Sequence, residues 1–86
     1  MYYYVYMLIS KGNKTISYVG YTNNLKNRIK LHNSGKGAKF TRGRKWKIIY
    51  KKQYDSKSNA MKAEYKLKKN YNLRNKIKKR LNYNVI

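Results

Sequence analysis

One stretch limits the folds open to this chain: Tyr18-Val19-Gly20-Tyr21-Thr22-Asn23-Asn24-Leu25-Lys26-Asn27-Arg28-Ile29-Lys30-Leu31-His32. Residues Ser17 to Tyr21 are rich in β-branched and aromatic side chains, which suit a strand. Gly20 leaves room for another group to approach the backbone closely. Thr22 or Asn23 is placed to cap a helix that starts beside it. Leu25 and Ile29 then follow one turn apart, and Arg28 and His32 are also four apart. Residues 25, 28, 29 and 32 form one stripe at helical spacing. The single His and one Arg therefore lie beside the face that should be buried. Two readings are open for Arg28. It can snorkel from the edge of the stripe with its charge in water, or it can be held there for chemistry.

The rest of the chain falls into short elements around this stretch. Met1 to Ile9 is an unbroken apolar run that reads as a buried strand. Ser10 to Thr15 is polar and contains Gly12 and Asn13, a hairpin signature. Ile16 to Tyr21 is the returning strand, which brings Tyr6 and Tyr18 close together. Asn23 to Asn33 is the first helix, and Asn33-Ser34-Gly35 ends it, with Gly35 suited to a left-handed cap. Lys36 to Arg44 is a basic loop. Trp46 to Tyr54 is a third strand. Asp55 or Ser56 caps a second helix that runs to about Lys69. Asn72 caps a third, with Leu73, Ile77 and Leu81 on one face. The periodicity predicts a core of Val5, Met7, Ile9, Val19, Leu25, Ile29, Ile48, Ala60, Ala63, Leu67, Leu73, Ile77 and Leu81. With 86 residues and no linker or repeat, residues 1–86 form a single α/β domain.

Charge narrows the function. Lys and Arg number 23 against two acidic residues, a formal net charge of +21. Such a chain repels itself when compact and seeks a polyanion. Nucleic acid is the natural partner, because each neutralised phosphate releases a counterion. An anionic membrane surface would demand a basic helix with a large apolar face, which the last helix matches only in part. The first apolar run is too short to span a bilayer and lacks the flanks of a signal peptide. The expected setting is intracellular, without membrane attachment or secretion. No cysteine is present, so there is no disulfide or thiolate metal site, and one His rules out a multi-histidine cluster within the chain. No small-molecule cofactor is implied. A protein partner or a second copy of the chain is compatible with the composition.

The two acids, Asp55 and Glu64, then carry unusual weight. Asp55 reads as a helix cap. Glu64 falls inside the apolar stripe Ala60, Ala63, Leu67. A carboxylate there must be paired, hydrogen-bonded or bound to a cation. One reading is an ion pair with a Lys or Arg. The other is a hard-metal ligand, since Mg²⁺ takes one or two carboxylates and keeps several waters. A site of several carboxylates holding two metals is excluded by composition. Lys36, Lys39, Arg42 and Arg44 read as a phosphate-contacting loop or as a solvated basic one. His32 reads as a substrate or water contact, or as a polar residue ending its helix.

Taken in order, these residues resemble the GIY-YIG endonuclease superfamily. Tyr4-Val5-Tyr6 and Tyr18-Val19-Gly20 resemble its paired motifs, although Tyr4 and Val5 stand where the first motif has Gly and Ile. Arg28 and His32 resemble the family's essential Arg and a frequent His. Ala63-Glu64 with Leu67-Lys68 resembles its metal-binding segment. Gly-Lys-Gly-Ala-Lys-Phe-Thr-Arg resembles a loop of the small single-domain branch that includes the UPF0213 proteins. The resemblance covers about Tyr2 to Leu81. It implies a three-stranded antiparallel sheet flanked by helices, ordered β-β-α-β-α-α. It also implies phosphodiester hydrolysis with one divalent ion, Mg²⁺ or Mn²⁺, leaving a 5′-phosphate and a 3′-hydroxyl. Tyr6 and Tyr18 would face the attacking water, Arg28 would meet the phosphoryl charge, and Glu64 would hold the metal. Gly20 and the basic loop would border the substrate, DNA before RNA. Two physical expectations accompany these roles. A strongly cationic site favours the tyrosine phenolate, and an Arg can fork onto two phosphate oxygens without losing its proton.

Three rivals differ in kind, one of them a small ribosomal-type RNA binder, which should show no metal-dependent turnover. A non-catalytic DNA- or RNA-binding module of the same fold would need the charge but not Glu64. A restriction-type nuclease would use Asp55 with Glu64-Tyr65-Lys66, but that motif belongs on strands, and residues 56–69 have helical periodicity. Every nucleic-acid reading shares one expected outcome. If about five phosphates are neutralised, log K should fall with log salt at a slope of about −4 to −5. A slope near zero in a salt titration of binding would remove the electrostatic argument.

Overall fold

The computed structural model describes the backbone of residues 2–10 and 16–85, with side chains as far as residue 80. β1 (Tyr3–Ser10) lies at the centre of a three-stranded sheet, between β2 (Ile16–Thr22) and β3 (Lys47–Tyr54), and both pairings are antiparallel. α1 (Leu25–Asn33), α2 (Lys57–Lys69) and α3 (Tyr71–Val85) complete the β-β-α-β-α-α order that the sequence predicts. The hairpin turn expected at Gly12-Asn13 and the core position expected for Leu81 lie outside the described residues.

β1 is apolar on both faces because both faces are covered. Side chains alternate across a strand, and two clusters divide accordingly. Val5, Met7 and Val19 pack with Ala60, Leu67 and Ile77 from α2 and α3. Tyr6 and Leu8 pack on the other face with Trp46, and Leu25 and Ile29 of α1 close over them. The register of β1 with β3 slips at Met7/Leu8, where Met7 opposes Tyr50 and Leu8 opposes Ile48. The extra residue, Ile49, lets Ile49 and Tyr50 both join the first cluster while Ile48 serves the second.

Most of the predicted core is buried or half-buried, but Leu73 is not: 40% of its surface is exposed. Its stripe has the right period, but α3 meets the core at Ile77, one turn further on. The sequence reading also missed Tyr6, Leu8 and Trp46, which form the second cluster, because it assigned one inner face to a strand that has two.

The helix ends follow local chemistry, and the N-caps of α1 and α3 are shifted by a residue or two from expectation. Asn24, not Thr22 or Asn23, caps α1, its side chain accepting from the Asn27 N–H at 3.2 Å. Thr22 instead accepts from the Asn24 N–H. At the other end Gly35 adopts φ +81°, as expected for a left-handed cap. The Lys36 N–H reaches Leu31 O at 2.8 Å and the Gly35 N–H reaches His32 O, so the chain turns sharply away just after His32. Ser56 caps α2. Asn70 caps α3 in place of Asn72, accepting from the Leu73 N–H at 3.0 Å.

The two-sided burial of β1 sets the first structural test. Leu8→Ala should cost about 2–5 kcal/mol in denaturant unfolding, whereas Leu73→Ala should change stability by about 0.5 kcal/mol or less. Equal losses would show that the second cluster is not the core described here.

Candidate active site

The sheet register assembles the first part of the site. Tyr6 pairs with Gly20 and Leu8 with Tyr18, so Tyr6, Tyr18 and Gly20 share the α1 face. Tyr6 lies across β2 only because residue 20 has no side chain. A Cβ there would stand 2.6 Å from the Tyr6 hydroxyl oxygen and 3.1 Å from the Tyr18 ring. The two tyrosine rings are 6.4 Å apart between centroids.

α1 delivers the other half. The Tyr6 hydroxyl and His32 Nε2 are 2.8 Å apart, and His32 is fully buried. His32 Nδ1 lies 2.9 Å from Thr41 Oγ1. The His32 ring also stands 5.0 Å from the Tyr18 ring. One turn before His32, the Arg28 guanidinium stands beside the Tyr6 and Tyr18 side chains and interacts with both. Its Nε is buried and has no hydrogen-bond partner in the protein. Arg28 does not snorkel outward; it turns toward the tyrosines.

Burial dominates the protonation of this group. It pushes the Tyr6 hydroxyl up to about 12, and the hydrogen bond and charge of Arg28 offset only part of that rise. The expected cationic preference for the phenolate is therefore overridden at Tyr6 by loss of water. Burial, with the nearby Arg28 charge, holds His32 below its ordinary range. The Tyr6 hydroxyl in turn holds Arg28 above its own. At neutral pH the centre is thus a protonated tyrosine, a neutral imidazole and a guanidinium.

Glu64 approaches from α2. Its Oε1 lies 3.2 Å from Lys68 Nζ, an i,i+4 pair in which the Glu side chain is 16% exposed and the Lys 51%. The ion-pair reading of Glu64 is realised, but the pair is of the half-exposed helical kind, worth roughly 0.3–0.5 kcal/mol. Lys68 is free to swing into water. Glu64 adds to the upward pull on the Tyr6 hydroxyl, so its charge is felt at the tyrosine. Among the described residues no three His, Asp or Glu side chains converge to hold an ion. The donor set is one carboxylate, which fits a hard cation that keeps its waters and takes its other ligands from a phosphate. Asp55 takes no part; it accepts from Asn59 Nδ2 at the start of α2.

The basic loop wraps the His32 end of the site. Lys36, Lys39 and Arg42 are exposed, while Arg44 is half-buried and donates to Ser10 Oγ at 3.3 Å. At its centre a single 3₁₀ turn (Lys39–Thr41) sends Thr41 inward. Trp46 anchors the loop: its indole N–H donates to Thr41 O at 2.8 Å, and Asn33 brackets its backbone on both sides. Phe40 stacks on Tyr18 at 6.1 Å and is largely exposed. A cleft over the β2 edge is lined by Tyr18, Phe40, Lys68 and Arg74, and Arg74 Nε is also buried without a partner. Sequence reasoning singled out none of Thr41, Phe40, Trp46 or Arg74 as a site residue. An aromatic residue in the middle of a basic loop was the available signal for Phe40.

Comparison with known proteins identifies relatives of this chain. The model of the GIY-YIG catalytic domain matches residues 2–82. A UPF0213 protein of Oceanobacillus iheyensis is 46% identical over 67 residues, covering 77% of this chain and 76% of the relative. One from Staphylococcus haemolyticus is 45% identical, covering 77% and 79%. The solution NMR structure of a UPF0213 protein from Bacillus halodurans is 45% identical, with a TM-score of 0.45 over 79% of this chain and 71% of that one. Among the described residues no helix is long and apolar enough to cross a membrane.

The buried neutral imidazole should be visible in stability. His32 titrates below 6.5 when folded, so on acidification the unfolded chain takes up its proton first. Stability should therefore fall as pH drops below about 6.5 and level off once the folded His32 is protonated. His32→Asn should abolish that part of the pH dependence. Melting curves from about pH 8 to 5 read the difference, and identical profiles for the two proteins would contradict the buried neutral state.

Proposed function

The chain belongs to the GIY-YIG catalytic domain family, and from that membership we propose that it is a metal-dependent endonuclease hydrolysing phosphodiester bonds in nucleic acid. The observation that carries the reading is the meeting of Tyr6, Tyr18, Arg28 and His32 at one point beneath a basic loop. A module that only binds phosphates has no use for a buried tyrosine–imidazole pair.

The roles follow from the chemistry of each group. Lys36, Lys39, Arg42 and Arg44 attract and align the phosphate backbone, contacts that position the substrate without reading sequence. Arg28 presents a planar fork to the scissile phosphate and answers the negative charge that grows in the transition state. Tyr6 keeps its own proton at neutral pH. It can accept one from the attacking water only while handing its hydroxyl proton to His32 Nε2, which lies 2.8 Å away and is neutral. Tyr18 borders the same space and orients the water. Glu64 would hold one Mg²⁺ or Mn²⁺, Lys68 moving aside; that ion would supply Lewis-acid stabilisation to a scissile oxygen. The products would be a 5′-phosphate and a 3′-hydroxyl, and the substrate DNA, with structure rather than sequence recognised.

Separate variants test separate parts. Arg28→Ala and Glu64→Gln should each reduce cleavage by about a hundred- to a thousand-fold. Binding should change by no more than about one phosphate contact, because it is spread over many cations. Arg28→Lys should not restore activity, since an ammonium has no planar fork. Melting, binding and cleavage measured on the same proteins distinguish catalysis from folding. Full cleavage by well-folded Glu64→Gln protein would remove the metal-site assignment. Intact binding with no cleavage by the parent chain would leave a non-catalytic binding module.

A further inference from the structure

The centre of the site poses a question that distances alone leave open: which nitrogen of His32 carries the proton. The hydrogen bonds around it answer from both ends. Thr41 Oγ1 lies 3.0 Å from Ala38 O, and a carbonyl can only accept, so that contact is a hydrogen bond only when the hydroxyl proton points to it, beside the Thr41 N–H that the same carbonyl accepts at 3.1 Å. The same oxygen accepts from the Ala38 N–H at 3.2 Å. With its proton on the Ala38 carbonyl, the oxygen has one lone pair left, and it lies 2.9 Å from His32 Nδ1. An acceptor there requires a proton on Nδ1. At the far end, the Tyr6 hydroxyl lies 2.8 Å from His32 Nε2, with the donor-only Arg28 also beside it. A proton on Nε2 would leave the buried Tyr6 hydroxyl facing two donors with its own hydrogen unplaced. A bare Nε2 satisfies every group in the chain.

We propose that Thr41 is a positioning residue of the reaction, which fixes His32 in the Nδ1–H form so that Nε2 stays open to the Tyr6 proton. This rests on the nuclease reading for its consequence, while the protonation pattern is argued from the Thr41, His32 and Tyr6 contacts and from the place of Arg28 beside Tyr6. The proton direction is then set along one line. Tyr6 donates to His32 Nε2, His32 Nδ1 donates to Thr41, and Thr41 donates to the Ala38 carbonyl. With its own hydrogen turned inward, Tyr6 keeps its lone pairs for Arg28 and for a water proton. When water loses a proton to the Tyr6 oxygen, the Tyr6 hydrogen passes to Nε2, and the imidazolium keeps its Nδ1–H bond to Thr41. No other partner has to rearrange, which is the condition for a fast transfer.

The local sequence is built for this contact. The reversal at Gly35 returns the chain over His32, and Gly37 lies flat on its ring. A Cβ at residue 37 would collide with His32 Nδ1 and stand 2.8 Å from Cγ. Trp46 then holds the Thr41 carbonyl, so the turn cannot slide. The loop that the sequence suggested for phosphate contact thus has a second, inward task, in which Thr41 is fully buried.

The test reads the tautomer directly. Long-range ¹⁵N–¹H NMR of the metal-free protein at neutral pH should show a protonated Nδ1 and a bare Nε2 on the single His. Thr41→Val keeps the shape and removes the acceptor. It should shift His32 toward the Nε2–H form and lower kcat by about ten- to a hundred-fold, as for other partners that orient a functional imidazole, with KM little changed. Thr41→Ser should keep both the tautomer and the rate, which a purely packing role for the Thr methyl would not allow. A parent protein protonated on Nε2 overturns the proposal, as does a folded Thr41→Val protein with parental kcat. The NMR readout needs no cleavage. A chain with the Nδ1–H tautomer that cuts nothing overturns the nuclease reading, whereas one that cuts while carrying Nε2–H overturns this inference alone.

Discussion

Burial of β1 on both faces is the constraint from which the rest follows. The strand Tyr3–Ser10 carries no charge in a chain of net +21, and six of its eight residues are buried. Its neighbours supply little apolar surface of their own, so each helix contributes a narrow stripe: Leu25 and Ile29 from α1, Ala60 and Leu67 from α2, Ile77 from α3. The cations are thereby displaced to the outside. Removing the apolar centre would leave a self-repelling polycation with nothing to oppose the repulsion.

The same burial makes the site. Tyr6 is a core residue by position and a functional group by chemistry; its ring is packed beside Leu8 while its hydroxyl reaches His32. Taking the hydroxyl out of water raises its pKa and forces it to find a partner. Taking the imidazole out of water keeps it neutral and able to accept. Arg28 is the charged member, and its unpartnered Nε is a donor that a phosphate oxygen can satisfy. Glu64 differs from these. It stands on the other side of the sheet edge, tied to a lysine that solvent can draw away. In the proposed reaction, this division would leave protons to fixed groups and bring the metal in with its substrate.

Much of this was legible in the sequence, and the rest was withheld for identifiable reasons. The strand–glycine–helix stretch located Tyr18, Gly20, Arg28 and His32 because local spacing fixes which residues share a helix face. The order of elements followed from alternating apolar patterns and turn residues. Cap positions were off by one or two because Asn23, Asn24, Asn70 and Asn72 are chemically equivalent candidates, and only the turn geometry chooses among them. Leu73 failed because a period says which residues align, not how far along the stripe the neighbour reaches. Thr41 was invisible for a deeper reason. Its partner is nine residues away across a loop, and nothing in Lys-Phe-Thr-Arg tells which side chain turns inward. The phenolate expectation failed because it counted charges without counting the water lost around Tyr6.

The central claim is that this basic fold cuts what it binds. The most direct measurement incubates the unmodified protein with end-labelled branched, duplex and single-stranded DNA and RNA, in Mg²⁺, in Mn²⁺ and in EDTA, and identifies the termini produced. Cleavage that depends on the divalent ion and leaves 5′-phosphate and 3′-hydroxyl ends is the expected result. Folded protein that binds these substrates and leaves all of them intact in both metals would contradict it.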